Sequence, residues 1–133
     1  MKSTELTVDT RTRQVVDITD GVAAFARGGS DGLLSVFALH ATAGIALIET
    51  GSGTEEDLVA TLNELLPRDG RYVHQHGSTG HGADHVLPAV VSPSVVIPVK
   101  GGSLMLGTWQ RIVLVDLNTD NPQRRVRLDL LSG

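Results

Sequence analysis

The chain has 133 residues, 41% of them hydrophobic and 20% charged, which is the balance of a single globular domain (1–133) with its own core. It contains no cysteine, which excludes disulfide bonds, thiolate zinc sites and cysteine nucleophiles. Its net charge of −4 and the lack of any apolar run of roughly 20 residues lead us to expect a cytoplasmic protein with no nucleic-acid or membrane partner.

The first half of the chain contains four segments whose alternating or branched apolar residues predict strands. These are residues 5–10, 14–18, 33–39 and 45–48. Thr19 or Asp20 is suited to cap a short helix over residues 22–27. Thr54, with Asp57 three residues later, resembles the start of a second helix that ends at Pro67.

The second half opens with a glycine-rich loop over residues 68–84, which carries most of the histidines. A loop of this length in a small domain is often functional. A short helix is expected over residues 85–91, with Pro88 in its first turn. Further strands are predicted at residues 94–99, 109–117 and 125–131, with a hairpin turn at 100–103. About seven strands and two or three helices favour the α+β class with a largely antiparallel sheet.

Three stretches carry a more specific pattern. Residues 39–49 contain His-x-Thr-Ala at the end of an apolar strand, residues 72–86 contain Tyr-x-His followed later by Asp-His, and residues 93–110 contain Ser-x-x-x-Pro-Val followed by Gly-Thr-Trp-Gln. Two neighbouring arginines, Arg124 and Arg125, come after them. In order and spacing these stretches resemble the YjbQ-like family of small proteins, also called secondary thiamine-phosphate synthases.

The resemblance implies a β-sandwich-like α+β fold and a homotrimer. It also implies thiamine-phosphate synthase activity, in which a pyrimidine diphosphate is joined to a thiazole phosphate with loss of pyrophosphate. The chain departs from the family pattern at Ile48, Pro88 and Ser103, where asparagine, lysine and arginine are common. These departures bear on ligand recognition more than on the fold.

Three histidines occupy the matched positions: His40, His74 and His85. Neutral imidazole is a common ligand for zinc, and three histidines with an open fourth position form the usual catalytic arrangement. We therefore expect a divalent metal site at these residues, with zinc preferred and magnesium as the alternative. At least one of His76 and His81 is expected to be merely solvated. Asp84 is interpreted either as a partner that orients a histidine or as a helix cap.

Two residues are candidates for a catalytic role. Glu49 follows an apolar strand and is suited to be a general base, although an exposed strand-end carboxylate is an equal alternative. Gln110 follows Trp109, whose indole is expected in the core or at a subunit interface. Thr108, on the other side of Trp109, is a candidate for ligand binding.

Phosphate or ligand binding is also considered for Thr42, Arg124 and Arg125. Thr42 lies two residues from His40 and is placed to share its face of the strand, or to satisfy a turn. Neighbouring residues of a strand point to opposite faces, so one arginine is expected to reach a phosphate while the other meets solvent or a partner subunit. A surface charge pair is the alternative.

Three classes of function remain open from these residues. The first is an enzyme with the pyrophosphate-releasing transferase activity that the resemblance implies. The second is metal-assisted hydrolysis of a small phosphorylated or carbonyl compound, with Glu49 as the base. The third is a trimer that binds metal or a small ligand without catalysis.

Overall fold

The computed structural model describes every residue from Met1 to Gly133 and contains eight strands and three helices. The strands are β1 (Lys2–Asp9), β2 (Val15–Asp17), β3 (Gly32–Ala38), β4 (Gly44–Ile48), β5 (Ser94–Lys100), β6 (Ser103–Leu104), β7 (Arg111–Val115) and β8 (Gln123–Ser132). The helices are α1 (Thr19–Ala26), α2 (Thr54–Leu65) and α3 (His81–Val90). Every strand pairing is antiparallel, which confirms the expected α+β class.

The strands form two sheets that share one apolar core. The larger sheet has the order β1-β8-β3-β5-β6, and the smaller has the order β2-β7-β4. Leu34 of β3 and Leu128 of β8 project from the larger sheet into a cluster of 16 buried residues. Ile112 of β7 enters the same cluster from the smaller sheet, and Val22 brings α1 into it. The sheets therefore pack against each other as a sandwich.

Strand β7 is buried on both faces, which explains its unbroken apolar sequence. Ile112 and Leu114 lie in the core between the sheets, whereas Val113 and Val115 lie in a second cluster on the other face. That second cluster contains side chains from α2 and α3, among them Leu62 and Leu87. The two helices thus cover the smaller sheet. The first turn of α3 lies near the end of β7, where Asn118 donates a hydrogen bond to Asp84.

Helix α3 begins four residues earlier than the sequence indicated. It starts at His81 instead of His85, so Pro88 is the eighth residue and does not lie in the first turn. Gly80 precedes the helix with φ of 88°, a left-handed conformation that glycine adopts without strain. The missed turn contains His81, Gly82 and Asp84, which carry no apolar periodicity. The two-residue strand β6 was also missed, although its hairpin with β5 confirms the expected turn.

The other boundaries agree within a few residues. Strand β7 begins at Arg111, and Trp109 lies in the preceding loop with 71% of its surface exposed. The indole therefore does not pack in the core of the chain, and its place at a subunit interface stays a prediction. None of the three helices has the length and apolar character needed to cross a membrane.

Candidate metal centre

The loop before α3 and the first two turns of that helix gather histidine side chains at one point. His81 and His85 are four residues apart, so they project from the same face of α3. Their Nε2 atoms are 2.9 Å apart. His74 comes from the loop, and its ring centroid lies 4.3 Å from that of His85. One ring nitrogen from each of the three lies within 4.8 Å of the others.

A close backbone approach holds the loop against the helix. At Gly82, a side-chain Cβ would lie 2.7 Å from the carbonyl oxygen of His74 and 2.5 Å from Cβ of Tyr72. Any larger residue would therefore push the His74 segment away from α3. The Tyr72 hydroxyl donates a hydrogen bond of 2.7 Å to the carbonyl of Pro67, which closes the loop from its other side.

A carboxylate orients one of the three imidazoles. Nδ1 of His81 lies 3.0 Å from Oδ2 of Asp120. Because a carboxylate accepts, Nδ1 carries the proton, and the lone pair of the neutral ring is on Nε2, the atom nearest His85. Contacts with Ser78 above all, and with His81 and Asn118, hold the pKa of the Asp120 carboxyl below its usual range. A carboxylate behind a histidine is the usual outer support of a metal ligand.

Two of the three rings, His74 and His85, favour the neutral form. Loss of hydration lowers the pKa of His85, and the neighbouring His74, His81 and His76 lower it further. The pKa of His74 is lowered in the same way, with His76 and His81 as the repelling neighbours. Nε2 of His85 and Nε2 of His81 are 2.9 Å apart, a distance at which either one ring donates its proton to the other or a cation lies between them. This donor set fits a transition metal, because zinc accepts neutral imidazole nitrogen directly.

His40 lies outside this group. Its Nε2 accepts a hydrogen bond of 2.8 Å from the backbone N–H of Arg125. Partial burial lowers the pKa of His40, and Arg124 and Arg125 add to that effect. In this chain His81, and not His40, completes the three-nitrogen group with His74 and His85. The bond to Arg125 occupies the Nε2 lone pair of His40 within this chain, and the ligand set His40, His74 and His85 stays a prediction.

Arg124 and Thr42 belong to a buried polar cluster instead of a ligand surface. The Nε and Nη2 atoms of Arg124 donate to the carboxylate of Asp116 at 2.7 and 2.9 Å. Nη2 also donates to Oγ1 of Thr42 at 2.9 Å, and Thr10 donates to Asp116 at 2.6 Å. Arg124 is only 2% exposed. The expected phosphate contact from this arginine is therefore replaced by an internal ion pair, and Thr42 serves the same cluster.

Arg125 lies on the opposite, exposed side of β8, as neighbouring strand residues must. Its guanidinium is 3.6 Å from the carboxylate of Glu5. Glu49 is exposed, and no hydrogen bond or ion pair joins it to the histidine group. Thr108 and Gln110 are exposed too, and Oε1 of Gln110 accepts the backbone N–H of Gly107 at 2.8 Å.

Asp84 does not contact a histidine. It is 1% exposed and accepts hydrogen bonds from Nη2 of Arg68 at 3.1 Å and Nδ2 of Asn118 at 2.9 Å. It therefore fixes the first turn of α3 to the segment after β7. His76 is exposed and is not part of the three-nitrogen group. Its ring centroid nevertheless lies 4.2 Å from that of His74 and 4.5 Å from that of His81, so the expectation that one loop histidine is merely solvated stays a prediction.

Sequence reasoning missed two residues of the group, His81 and Asp120. Two signals were present in the sequence. The His-x-x-x-His spacing of residues 81–85 places both rings on one face if the segment is helical. The segment 116–120 carries polar residues at every second position, and each binds a different partner: Asp116 binds Arg124, Asn118 binds Asp84, and Asp120 contacts His81.

A family model and individual relatives both match this chain over nearly its whole length. The family model for "UPF0047 protein YjbQ-like" matches residues 4–133. The UPF0047 protein Rv2556c of Mycobacterium tuberculosis is 62% identical over 133 residues and is covered completely, as is this chain. A UPF0047 protein of Archaeoglobus fulgidus is 35% identical over 122 residues, which are 91% of this chain and 94% of the relative.

Solved structures are similar over the same length. The hypothetical protein APE1520 of Aeropyrum pernix superposes with a TM-score of 0.91 at 36% identity, with both chains fully covered. A YbjQ-like protein of unknown function from Sulfolobus solfataricus superposes with a TM-score of 0.90 at 27% identity, covering 99% of this chain and 97% of the other. The sequence match and the shared fold together show that this chain belongs to the YjbQ-like UPF0047 family.

Proposed function

We propose that the chain holds one divalent transition metal ion at His74, His81 and His85, and that the bound ion serves a reaction or a binding event on a small molecule. The observation that supports this is the convergence of three ring nitrogens within 4.8 Å, one of them backed by Asp120. The all-imidazole donor set favours zinc over magnesium, which prefers oxygen ligands. A bound ion would supply Lewis acidity and a site for an activated water.

The protein residues have separable tasks in this proposal. His85 and His81 are presented by the rigid helix α3, and His74 by the loop that Gly82 allows to approach. Asp120 keeps the proton of His81 on Nδ1, so that its Nε2 remains a ligand atom. A polar pocket of about 300 Å³ lies beside His74 and His81, and no hydrophobic residue lines it. That pocket is suited to a charged or strongly hydrated part of a ligand.

The metal content of tag-free protein tests the proposal. Plasma mass spectrometry is expected to find about one zinc ion per chain after zinc loading and dialysis, and much less in His74→Ala, His81→Ala and His85→Ala. His76→Ala and His40→Ala are the matched controls and are expected to retain zinc. Wild-type protein that takes up no zinc would refute the site. Loss of zinc from His40→Ala but not from His81→Ala would restore the ligand set expected from the sequence.

Thiamine-phosphate synthase activity is the specific reaction that the family resemblance offers. In that reaction a thiazole nitrogen forms the new C–N bond, and the bond to the pyrophosphate breaks with pyrophosphate leaving as the anion. Turnover of the two substrates by zinc-loaded and magnesium-supplemented protein tests it, with His85→Ala as the control. Turnover by the wild-type protein that does not exceed that of His85→Ala would exclude the reaction at this site. A non-catalytic role or hydrolysis would then be the remaining candidates.

We also propose a homotrimer in solution. The support from this chain is a group of exposed apolar side chains on the outer face of the larger sheet: Leu33, Val96 and Leu131 are 50 to 59% exposed. Exposed apolar patches of this kind often mark contacts between subunits. Light scattering after size exclusion is expected to give three times the chain mass of 14.0 kDa, and Val96→Lys is expected to reduce it. A monomeric wild-type protein would contradict this.

A further inference from the structure

A second compartment also borders the histidine group, through His85. It is a groove of about 510 Å³ between the end of β3 and the helix α3. Its walls are mostly apolar, and the residues that define it are Phe37, Leu39, His40, His85, Pro88 and Pro93. The groove is shallow and largely open to solvent, and its volume is of the size that a small molecule occupies.

His85 connects the groove to the proposed metal centre. It lines the groove, and it is also one of the three histidines whose ring nitrogens converge. His74 and His81 instead line the polar pocket. The histidine group therefore borders both an apolar compartment and a polar one. A molecule that contacts both would place its apolar part beside His85 and its polar part beside His74 and His81.

His40 gives the groove one hydrogen-bond donor. The backbone N–H of Arg125 is a donor only, so Nε2 of His40 must be the acceptor in their 2.8 Å bond. A neutral imidazole that accepts at Nε2 carries its proton on Nδ1. No acceptor atom of the protein is bonded to that Nδ1, and the ring lines the groove. Its N–H is thus free to bind an acceptor atom of a ligand.

We propose that this groove binds the apolar ring of a small molecule that also carries a hydrogen-bond acceptor, and that Nδ1–H of His40 donates to that acceptor. The proposal rests on the proposed function in one respect only, because the metal centre would receive the other end of the molecule. Binding of the ring itself requires no metal. His40 is then a residue that selects and positions the ligand, and it does not hold the ion.

The test uses metal-free, full-length protein and acetophenone, which combines an aromatic ring with one carbonyl acceptor. Amide shifts in a ¹⁵N-labelled sample report binding residue by residue. Acetone is the matched probe, because it keeps the carbonyl and lacks the ring. Two variants separate the roles of the two ring nitrogens. His40→Gln places an acceptor oxygen near the position of Nε2 and removes the Nδ1 donor, whereas His40→Asn places an amide donor near the position of Nδ1.

We expect acetophenone to shift the amides of residues 37–41 and of His85 in wild-type protein, and acetone to bind at least tenfold more weakly. His40→Gln is expected to weaken acetophenone binding about threefold to tenfold, the range of one hydrogen bond. His40→Asn is expected to stay within about twofold of wild type. Long-range ¹⁵N spectra of the histidines are expected to show Nε2 of His40 unprotonated.

Several results would overturn the proposal. They are an absence of shifts in the groove, equal binding by His40→Gln and wild type, a proton on Nε2 of His40, and groove amides that shift with protein concentration but not with acetophenone. The last would mean that a second copy of the chain covers the groove. Zinc content is measured on the same variants and is expected to be unchanged. Failure to take up zinc would therefore count against the metal centre alone.

Discussion

The short segment after β7 contributes a carboxylate to each of two polar clusters. The two clusters differ in burial and in the balance of hydrogen-bond donors and acceptors. The inner cluster joins Asp116 to Arg124, Thr42 and Thr10, and its members are almost fully buried. Nε and Nη2 of Arg124 and the hydroxyl of Thr10 there donate to acceptors of the same chain. The outer cluster joins Asp120 to His81 and continues to His85 and His74 at the surface.

The outer cluster is rich in acceptors and poor in donors. Three imidazoles and one carboxylate offer more lone pairs than N–H donors when the rings are neutral. The inner cluster balances one guanidinium against one carboxylate and two hydroxyls. Buried donors and acceptors that pair with each other stabilise the fold, whereas several unpaired lone pairs near the surface are suited to bind a cation. The difference indicates a structural role for the inner cluster and is the basis for proposing a metal-binding role for the outer one.

Breaking the inner cluster is expected to have the largest effect. Asp116→Asn leaves the buried guanidinium of Arg124 without its counter-charge, and loss of one partner of a buried pair costs about 3–5 kcal/mol. Urea unfolding monitored by circular dichroism measures the free energy of unfolding. Arg125→Ala, on the exposed side of the same strand, is the control and is expected to stay within about 0.5 kcal/mol. Equal effects of the two changes would contradict the structural role of the inner cluster.

Filling the outer cluster is expected to have the next largest effect. Zinc at a hundred times its dissociation constant adds about 2.7 kcal/mol to the free energy of unfolding of a protein that binds it only when folded. Metal-free wild-type protein is expected to gain this amount on titration with zinc, and His85→Ala to gain none. A similar gain in His85→Ala would show that zinc binds elsewhere.

Weakening the hydrogen bond that supports His81 in the outer cluster is expected to reduce the affinity for zinc. Asp120→Asn keeps the shape of the side chain but weakens its hold on Nδ1–H of His81, and loss of such a partner typically lowers metal affinity 10- to 100-fold. Competition with a chromophoric chelator measures the dissociation constant. Asp69→Asn is the matched control, because Asp69 lines the same polar pocket but pairs with Arg71. Its zinc affinity is expected to equal that of wild type.

The smallest effect concerns pH. The folded chain lowers the pKa of His40, His74 and His85 below the unfolded value of 6.5. Between the lowered pKa and 6.5 the unfolded chain binds more protons, so the stability of the metal-free protein is full above 6.5 and falls as pH drops through that window. Chemical unfolding between pH 7.5 and 5.0 is expected to show this decline. The decline is expected to be shallower in His40→Gln, and stability that rises on acidification would contradict it.

The sequence determined the class of the fold and most of its elements. Alternation along β1 and β8, the branched runs of β3 and β5 and the spaced leucines of α2 are local signals, because each reflects which face of one element is buried. The antiparallel pairing followed from short turns such as 100–103. The motifs at His74 and His85 also identified the part of the chain where ring nitrogens converge, whereas His40 lies outside that group.

Only the tertiary structure decided which groups meet. The rings of His81 and His85 share a face because α3 begins at His81, and no apolar period in that turn indicated a helix. Asp120 reaches His81 across 39 residues, and Arg124 meets Asp116 inside the sandwich instead of a phosphate outside it. A sequence fixes which chemical groups are available and how each local element repeats. Long-range packing determines which of those groups become partners. Burial then distinguishes the inner cluster, whose groups pair with each other, from the outer cluster at the surface.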